Sequence, residues 1–469
     1  MFISGGVYRT VEIQNKRVLV VGAGKTGTAV AAFLKRKGAL VTLTDNKRRE
    51  YFQGALDVLE NSGVGLALGG YPELEQDTSD FLVVSPGVPP TVPPVASAME
   101  RGVPVLGELE IAYVYTSAPL VAITGTNGKT TTTTLVGEIF KGAGYKTLVA
   151  GNIGLPLVDR VEEYGPGDII VAEVSSFQLE TVRHFRPRVA AVLNITPDHL
   201  DRHGDMEGYT RAKSLIFANQ GSGDFTVLNF DDPATRNMAG LTKGKVIFFS
   251  RRHILEEGAF VRDGQIVFRG NSCETVVYPA DKLQIPGGHN LENALAATAC
   301  AAVMGVTAAT VAGTLGNFTG VAHRLEFVAE INGVKYVNDS KGTNPDASIK
   351  AVEAYEQPLV LIAGGRNKGN DFSEFTGKAA ARARAVVVLG ECAAEMADAA
   401  RRAGIKNILQ AGDFREAVLL AHRAARPGDV VLLSPACASW DMFNSYEERG
   451  DYFKQIVSEL AGKSKVSSQ

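Results

Sequence analysis

Residues 119–144 read PLVAITGTNGKTTTTTLVGEIFKGAG. An apolar, β-branched run leads into a glycine-rich turn, and the turn leads into a stretch of helical composition. This is the pattern of a buried parallel strand that feeds a ligand loop and then a helix. Gly125, Gly128, Lys129 and Thr130 offer a backbone cradle, a cation for the β- and γ-phosphates and a hydroxyl for Mg²⁺, the parts of a nucleotide-triphosphate loop. Two residues separate the glycines where the standard loop has four, so the spacing is a shortened one. The preceding apolar strand and the threonines that open a helix despite weak propensity argue against a merely flexible loop.

The same strand-then-glycine signature occurs in RVLVVGAG (17–24) and QPLVLIAGG (357–365), and helical composition again follows the first, in TAVAAFLKRKG. The alternation predicts parallel α/β sheets. The 469-residue length suits about three domains. The expected organisation is three α/β domains: residues 1–116 Rossmann-like, 117–320 a central P-loop ATPase-like parallel sheet, and 321–469 Rossmann-like again. The first boundary follows the Pro-rich SPGVPPTVPPV and the helix-like GELEIAYVYT, and EFVAEINGVKYVND reads as the strand that opens the third domain.

A net charge of −3 supplies no basic excess for a nucleic-acid backbone, so no nucleic-acid partner is expected. The four cysteines form no CxxC pair, which points to a reducing compartment. Arg9 and Glu12 interrupt the apolar residues near the N-terminus, and no run is long enough to span a membrane. A soluble, cytoplasmic, monomeric protein without a membrane partner is the expectation.

Gly22-x-Gly24-x-x-Gly27, followed by a helix and by Asp45 at the end of the next strand, meets the local requirements of a dinucleotide fingerprint. A dinucleotide, a uridine diphosphate group or a tight turn with no ligand would each satisfy it. Glu173 closes the apolar run of IIVAEVSSFQLE, and Asp198, His199, Asp201 and His203 follow that of AAVLNITPDHLDRH. Strand ends in parallel sheets are where ligands bind, and hard oxygen donors suit Mg²⁺. Glu173 and Thr130 would serve that ion with His199, whereas His203 reads as a surface residue. Asn290 and Asn293 lie at i,i+3 in GGHNLENALAA and read equally as ligand contacts or as a cap plus an exposed amide. Arg324, Lys341 and Lys368 are cations in turn-rich stretches, suited to phosphates or carboxylates.

GTNGKTTT, GNIG, EVSSFQLE, NITPDHLDRH, HNLENALAA, HRLE, NDSKGTNPDA and SPACASWDMF together resemble the Mur ligases of peptidoglycan synthesis across all three domains. DSKGTNPDA and SPACASWDMF are similar to the D-glutamate-adding branch. The resemblance implies ATP-driven amide formation, a step of cell-wall biogenesis in the cytoplasm. The alanyl carboxylate of UDP-MurNAc-L-Ala is phosphorylated, and the amine of D-glutamate then displaces the phosphate. It implies two Mg²⁺ ions and closure of the domains over the intermediate. The fingerprint would then hold uridine diphosphate, with Gly24, Lys25, Thr26, Asp45, Asn46, Ser85 and Gly87 around it and Asn152 at the muramoyl-alanyl end. Asn46-Lys47 stands where relatives can carry Thr-Arg.

By the same resemblance, Gly125 to Thr131, with Thr126 and Asn127 between the glycines, hold the triphosphate. Asn290 and Asn293 read adenine, and Arg324 and Asp339 contact the nucleotide's phosphate and ribose. Thr130, Glu173 and His199 bind metal. Thr343, Lys368, Ser439 and Tyr446 line the D-glutamate pocket, with Lys341 beside the reacting groups. Lys213, which from the sequence alone reads as a solvated surface charge, falls where the family carries an N-carbamylated lysine that completes the second metal site. A folylpolyglutamate synthase would lack the first domain. A NAD-dependent dehydrogenase would leave Lys129, Glu173 and His199 without work, and an ATP-driven switch would have no use for SPACASWDMF.

Overall fold

The computed structural model describes residues 13–52, 56–71, 79–270, 273–285, 287–367 and 369–466. It contains three sheets, one for each α/β domain. In the first, β1 (Arg17–Val21), β2 (Leu40–Asp45), β3 (Gly65–Leu68), β4 (Phe81–Val84) and β5 (Val105–Gly107) lie in the order β3-β2-β1-β4-β5, all parallel. The helix Lys25–Arg36 buries Val30, Ala31, Phe33 and Leu34 on the sheet, each large side chain contributing about 1.5–3 kcal/mol of hydrophobic stabilisation. The chain order reverses between β1 and β4, and such a switch point opens a crevice at the strands' carboxyl ends. Gly27 is obligatory there, because a Cβ would stand 1.7 Å from the Gly22 carbonyl oxygen.

The central sheet comprises β6 (Leu120–Thr124), β7 (Thr147–Gly151), β8 (Ile169–Glu173), β9 (Val189–Val192), β10 (Phe225–Asn229), β11 (Lys245–Ser250), β12 (Gly258–Arg262), β13 (Gln265–Gly270) and β14 (Cys273–Pro279), ordered β14-β13-β12-β11-β10-β9-β6-β8-β7. The strands β6 to β12 are parallel, as expected, but β13 runs antiparallel to both β12 and β14. The parallel sheet expected here is thus extended at one edge by an antiparallel hairpin. Asp263 and Gly264 join β12 to β13 with φ of 50° and 72°, a two-residue primed turn that can return the chain only antiparallel.

In the third sheet, β15 (Glu326–Ile331), β16 (Val334–Asn338), β17 (Leu359–Gly364), β18 (Ala383–Leu389), β19 (Ile408–Gln410) and β20 (Val430–Leu433) are ordered β15-β16-β20-β17-β18-β19. EFVAEINGVKYVND, read as one strand, is the antiparallel pair β15 and β16 turning at Asn332-Gly333, with φ of 51° and 76°. The remaining pairs are parallel.

By contact density the chain forms two compact units. One is residues up to Lys282 with Glu292–Leu315, and the other is Leu283–Leu291 with Gly316 onward. Within the first unit, two buried carboxylates of the helix Glu108–Val114 join the first domain to the second. Glu110 accepts hydrogen bonds from the backbone N–H groups of Arg183, His184 and Phe185 at 2.9, 2.8 and 3.1 Å, and Glu108 accepts from Val158 N–H at 2.9 Å.

Burial pushes the Glu108 carboxyl up to about 7. The folded state therefore holds this proton more tightly than the unfolded chain does. Its contribution to stability is fully present in mild acid and is lost as pH rises toward about 7. Glu108→Gln should remove up to about 3 kcal/mol of that pH dependence. Urea midpoints of both proteins at about pH 5 and about pH 8 check it, and parallel changes would refute it.

Candidate active site

The switch-point crevice of the first sheet is a cavity of about 650 Å³. Gly24, Lys25, Thr26, Asp45, Asn46, Ser85, Gly87 and Asn152, the whole set expected around the UDP substrate, line it, together with Tyr71, Gly154 and Gln178. The Asp45 carboxylate accepts from Ala23 N–H at 2.8 Å and Lys47 N–H at 2.9 Å, which ties the glycine turn to the end of β2. Ser85 donates its hydroxyl to Gly22 O at 3.0 Å. The Lys25 ammonium donates to Gly154 O at 2.6 Å, so the central domain supplies part of the wall.

At the end of β6, Gly128 adopts φ of 82° and starts the helix Lys129–Gly142. A Cβ on Gly128 would lie 2.3 Å from Asn293 Oδ1, so only glycine lets the loop pass here. Lys129 Nζ donates to Gly125 O and Thr126 O, both at 2.8 Å, and folds over the loop that it would share with a phosphate. Thr130 and Thr131 are buried in the first turn. Asn194, which the sequence reading did not single out, clamps the loop from β9: Asn127 N–H donates to its Oδ1 at 2.8 Å, and its Nδ2 donates to Asn127 O at 3.1 Å. Its position directly after an apolar strand was the available signal.

The β6–β8 register sets Ile123 opposite Glu173 and so brings Glu173 to the loop's edge. Glu173 is buried; its Oε1 accepts from Asn152 Nδ2 at 2.9 Å, and its Oε2 has no hydrogen-bond partner among the described residues. A buried carboxylate oxygen without a donor fits a cation. Among the described residues no three His, Cys, Asp or Glu side chains form a metal cluster of their own, which suits an ion that keeps phosphate and water in its shell.

Lys213 is not a surface lysine. It is 1% exposed, donates to Gly125 O at 2.9 Å and lies over the Tyr209 ring at 4.6 Å. Burial, and then Lys129, hold its amine well below the ordinary lysine value, with Asp198 and Glu173 opposing them. Its distance in sequence from the loop hid this. His199, in the left-handed region at φ of 53°, caps the single-turn helix Leu200–His203, half exposed beside Asp198 at 3.4 Å. The His203 side chain is only 4% exposed, contrary to the surface reading, with Nε2 3.0 Å from Ser176 Oγ. Burial lowers its pKa. Asn290 and Asn293 are both buried, not exposed amides. Asn293 Oδ1 accepts from Thr132 Oγ1 at 3.2 Å against the phosphate loop.

In the second unit, Asp339 follows β16 with both oxygens engaged: Ser434 Oγ donates at 2.7 Å and Leu325 N–H at 3.3 Å. Burial raises its pKa to about 6, while the hydroxyl of Ser434 and the charge of Arg324 oppose the rise. Lys341 N–H donates to His323 O, and its ammonium lies 5.8 Å from the Tyr446 ring centroid. Thr343 N–H donates to Lys341 O at 2.8 Å, and Ser439 is buried. The buried guanidinium of Arg449, unassigned from sequence, donates to Ser340 O at 2.8 Å and Cys437 O at 3.3 Å. It thereby draws the 339–343 turn and the 434–446 loop together. Lys368 lies outside the described residues.

Models of known families match three successive stretches: a Mur ligase MurD-like N-terminal domain over residues 16–107, a Mur ligase middle domain over 123–301 and a Mur ligase glutamate ligase domain over 323–437. A UDP-N-acetylmuramoylalanine–D-glutamate ligase of Pelotomaculum thermopropionicum is 61% identical over 449 residues, 96% of this chain and 99% of the relative. The chain belongs to the Mur ligase family. That family catalyses ATP-dependent addition of an amino acid in peptidoglycan precursor synthesis. A ligase of the same description from Thermoanaerobacter pseudethanolicus is 47% identical, over 96% of this chain and all of that one.

Two solved Mur ligases share the fold. The UDP-N-acetylmuramate-alanine ligase of Thermotoga maritima has a TM-score of 0.58 at 20% identity, over 95% of this chain and 100% of its own. The MurF ligase of Thermotoga maritima, in complex with ADP, has a TM-score of 0.56 at 18% identity, over 96% of this chain and 97% of its own. Among the described residues no helix of this Mur ligase is long and apolar enough to cross a membrane.

Proposed function

We propose that the chain joins D-glutamate to the alanyl carboxylate of UDP-MurNAc-L-Ala at the expense of ATP, through an acyl phosphate. The observation that carries this reading is the 2.9 Å hydrogen bond from Asn152 to Glu173. Asn152 lines the uridine-type crevice and Glu173 flanks the phosphate loop, so the crevice's inner end adjoins the place where a γ-phosphate would lie. A carboxylate delivered there attacks phosphorus, and ADP leaves. The glutamate amine then attacks the acyl carbon, and phosphate leaves through a tetrahedral intermediate.

Gly125 to Thr131 hold the triphosphate, and Lys129 offsets charge between two anions that would otherwise repel. Asn290, Asn293, Arg324 and Asp339 belong to the nucleotide site. Thr343, Lys368, Ser439 and Tyr446 bind D-glutamate, and Lys341 serves the reacting groups. Thr130, Glu173, His199 and an N-carbamylated Lys213 would hold Mg²⁺, which when bound supplies charge neutralisation at the transferring phosphoryl group. The buried setting of Lys213 supports the carbamate: a cationic amine cannot ligate Mg²⁺, whereas a carbamate presents anionic oxygens beside Gly125 and Thr124.

Phosphate release should require UDP-MurNAc-L-Ala and D-glutamate together. Replacing D-glutamate by L-glutamate, L-lysine or diaminopimelate should reduce it at least about a hundredfold, since a stereospecific polar pocket left unpaired discriminates strongly. Release independent of the amino acid would refute the reading.

A further inference from the structure

Arg202 lies three residues beyond His199 on the helix Leu200–His203. Its side chain is largely buried and spends four N–H vectors on two domains. Nη1 donates to Pro86 O and Val88 O of the first domain, both at 3.3 Å. Nε and Nη2 donate to Glu180 Oε2 of the central domain at 3.2 and 2.6 Å. The guanidinium also lies over the Phe177 ring, 4.4 Å from its centroid.

The carbonyls it holds belong to SPGVPP, residues 85–90, whose Ser85 and Gly87 line the crevice assigned to the UDP substrate. Prolines 86, 89 and 90 bring no N–H to this loop. Its near end is fixed by Ser85 N–H on Val21 O at 2.9 Å and the Ser85 hydroxyl on Gly22 O at 3.0 Å. The contacts from Arg202 fix its far side. The arginine's own turn is anchored separately: His203 contacts Ser176 Oγ at 3.0 Å and Glu180 Oε1 at 3.3 Å, so the turn does not depend on the loop for its place.

We propose that Arg202 is a positioning residue for the UDP-linked substrate, holding the 85–90 loop in its binding shape from the turn that carries His199. The inference rests on the reading of the crevice as the UDP site. Only a planar fork can serve two carbonyls and a carboxylate at once while stacking on a ring. A lysine can keep the pair with Glu180 but not the rest.

The test is calorimetric binding of UDP-MurNAc-L-Ala, and separately of ADP with Mg²⁺, to the full-length wild type, Arg202→Gln and Arg202→Lys, with melting temperatures measured alongside. Arg202→Gln should weaken the UDP-linked substrate about tenfold or more while ADP affinity stays within about twofold, and Arg202→Lys should recover only part of the loss. Unchanged affinity for the UDP-linked substrate, whatever happens to the melting temperature, would overturn the proposal, as would equal losses for both ligands. If Arg202→Gln does not fold, Arg202→Lys carries the same comparison with an intermediate loss expected. Absence of UDP-MurNAc-L-Ala binding by the wild type itself would overturn the reading of the crevice along with the proposal, and would be seen before any substitution.

Discussion

Lys129→Met should lower kcat/KM for ligation by about a thousandfold or more, because it deletes the cation at the point where two anions must meet. The side chain follows directly after a glycine in the left-handed region, and its ammonium lies back across Gly125 O and Thr126 O at 2.8 Å. A γ-phosphate entering the loop exchanges these neutral carbonyls for an anion, and the attraction increases as charge shifts toward the bridging oxygen. Methionine keeps the helix-compatible stem and removes only the charge, so the fold should survive, and a near-native melting temperature checks that it does. Steady-state phosphate release and product formation give the kinetic answer. Retention of more than about a tenth of wild-type activity would exclude Lys129 from this role.

Lys213→Ala should be comparably severe, at about a hundredfold or more, for a different reason. The amine is enclosed by Tyr209, Thr124 and Gly125, and its ammonium form is disfavoured by burial and by Lys129. A neutral amine can add to CO₂: the nitrogen–carbon bond forms, a proton leaves and an anionic carbamate remains. Removing CO₂ from the buffers should therefore lower wild-type activity, and bicarbonate should restore it, while Lys213→Ala stays low in both. Wild-type activity indifferent to CO₂ would rule out the carbamate. Full activity of Lys213→Ala would remove this residue from the site altogether.

Much of this molecule is legible along the chain because its signals are local. Strand β6, the turn with Gly125 and Gly128, and the helix from Lys129 follow one another without a gap, so each is read from its neighbours. Part of the crevice of the first domain was legible for the same reason: Gly22 follows β1, Asp45 ends β2, and the strand ends of a parallel sheet meet on one side, whereas Ser85, just after β4, was assigned through the family resemblance. Asp263-Gly264 and Asn332-Gly333 are local hairpin signals of the same kind, and the second splits EFVAEINGVKYVND, read as one strand, into β15 and β16.

What local pattern cannot carry is which distant side chains end up in contact. Lys213 is 88 residues from the carbonyl it touches at Gly125, and Arg202 is 116 from Pro86. By spacing alone Lys213 is one more charge on a polar helix; its burial depends on β6 and Tyr209 closing round it. The residue types, the phosphate loop, the three-domain α/β plan and the family were determined by the sequence by itself. The tertiary structure decided that Glu173 keeps an oxygen without a partner, that Lys213 is enclosed and that Arg202 spans two domains. Each of those depends on strand register and sheet order bringing remote segments to one edge, where burial and charge then set the chemistry.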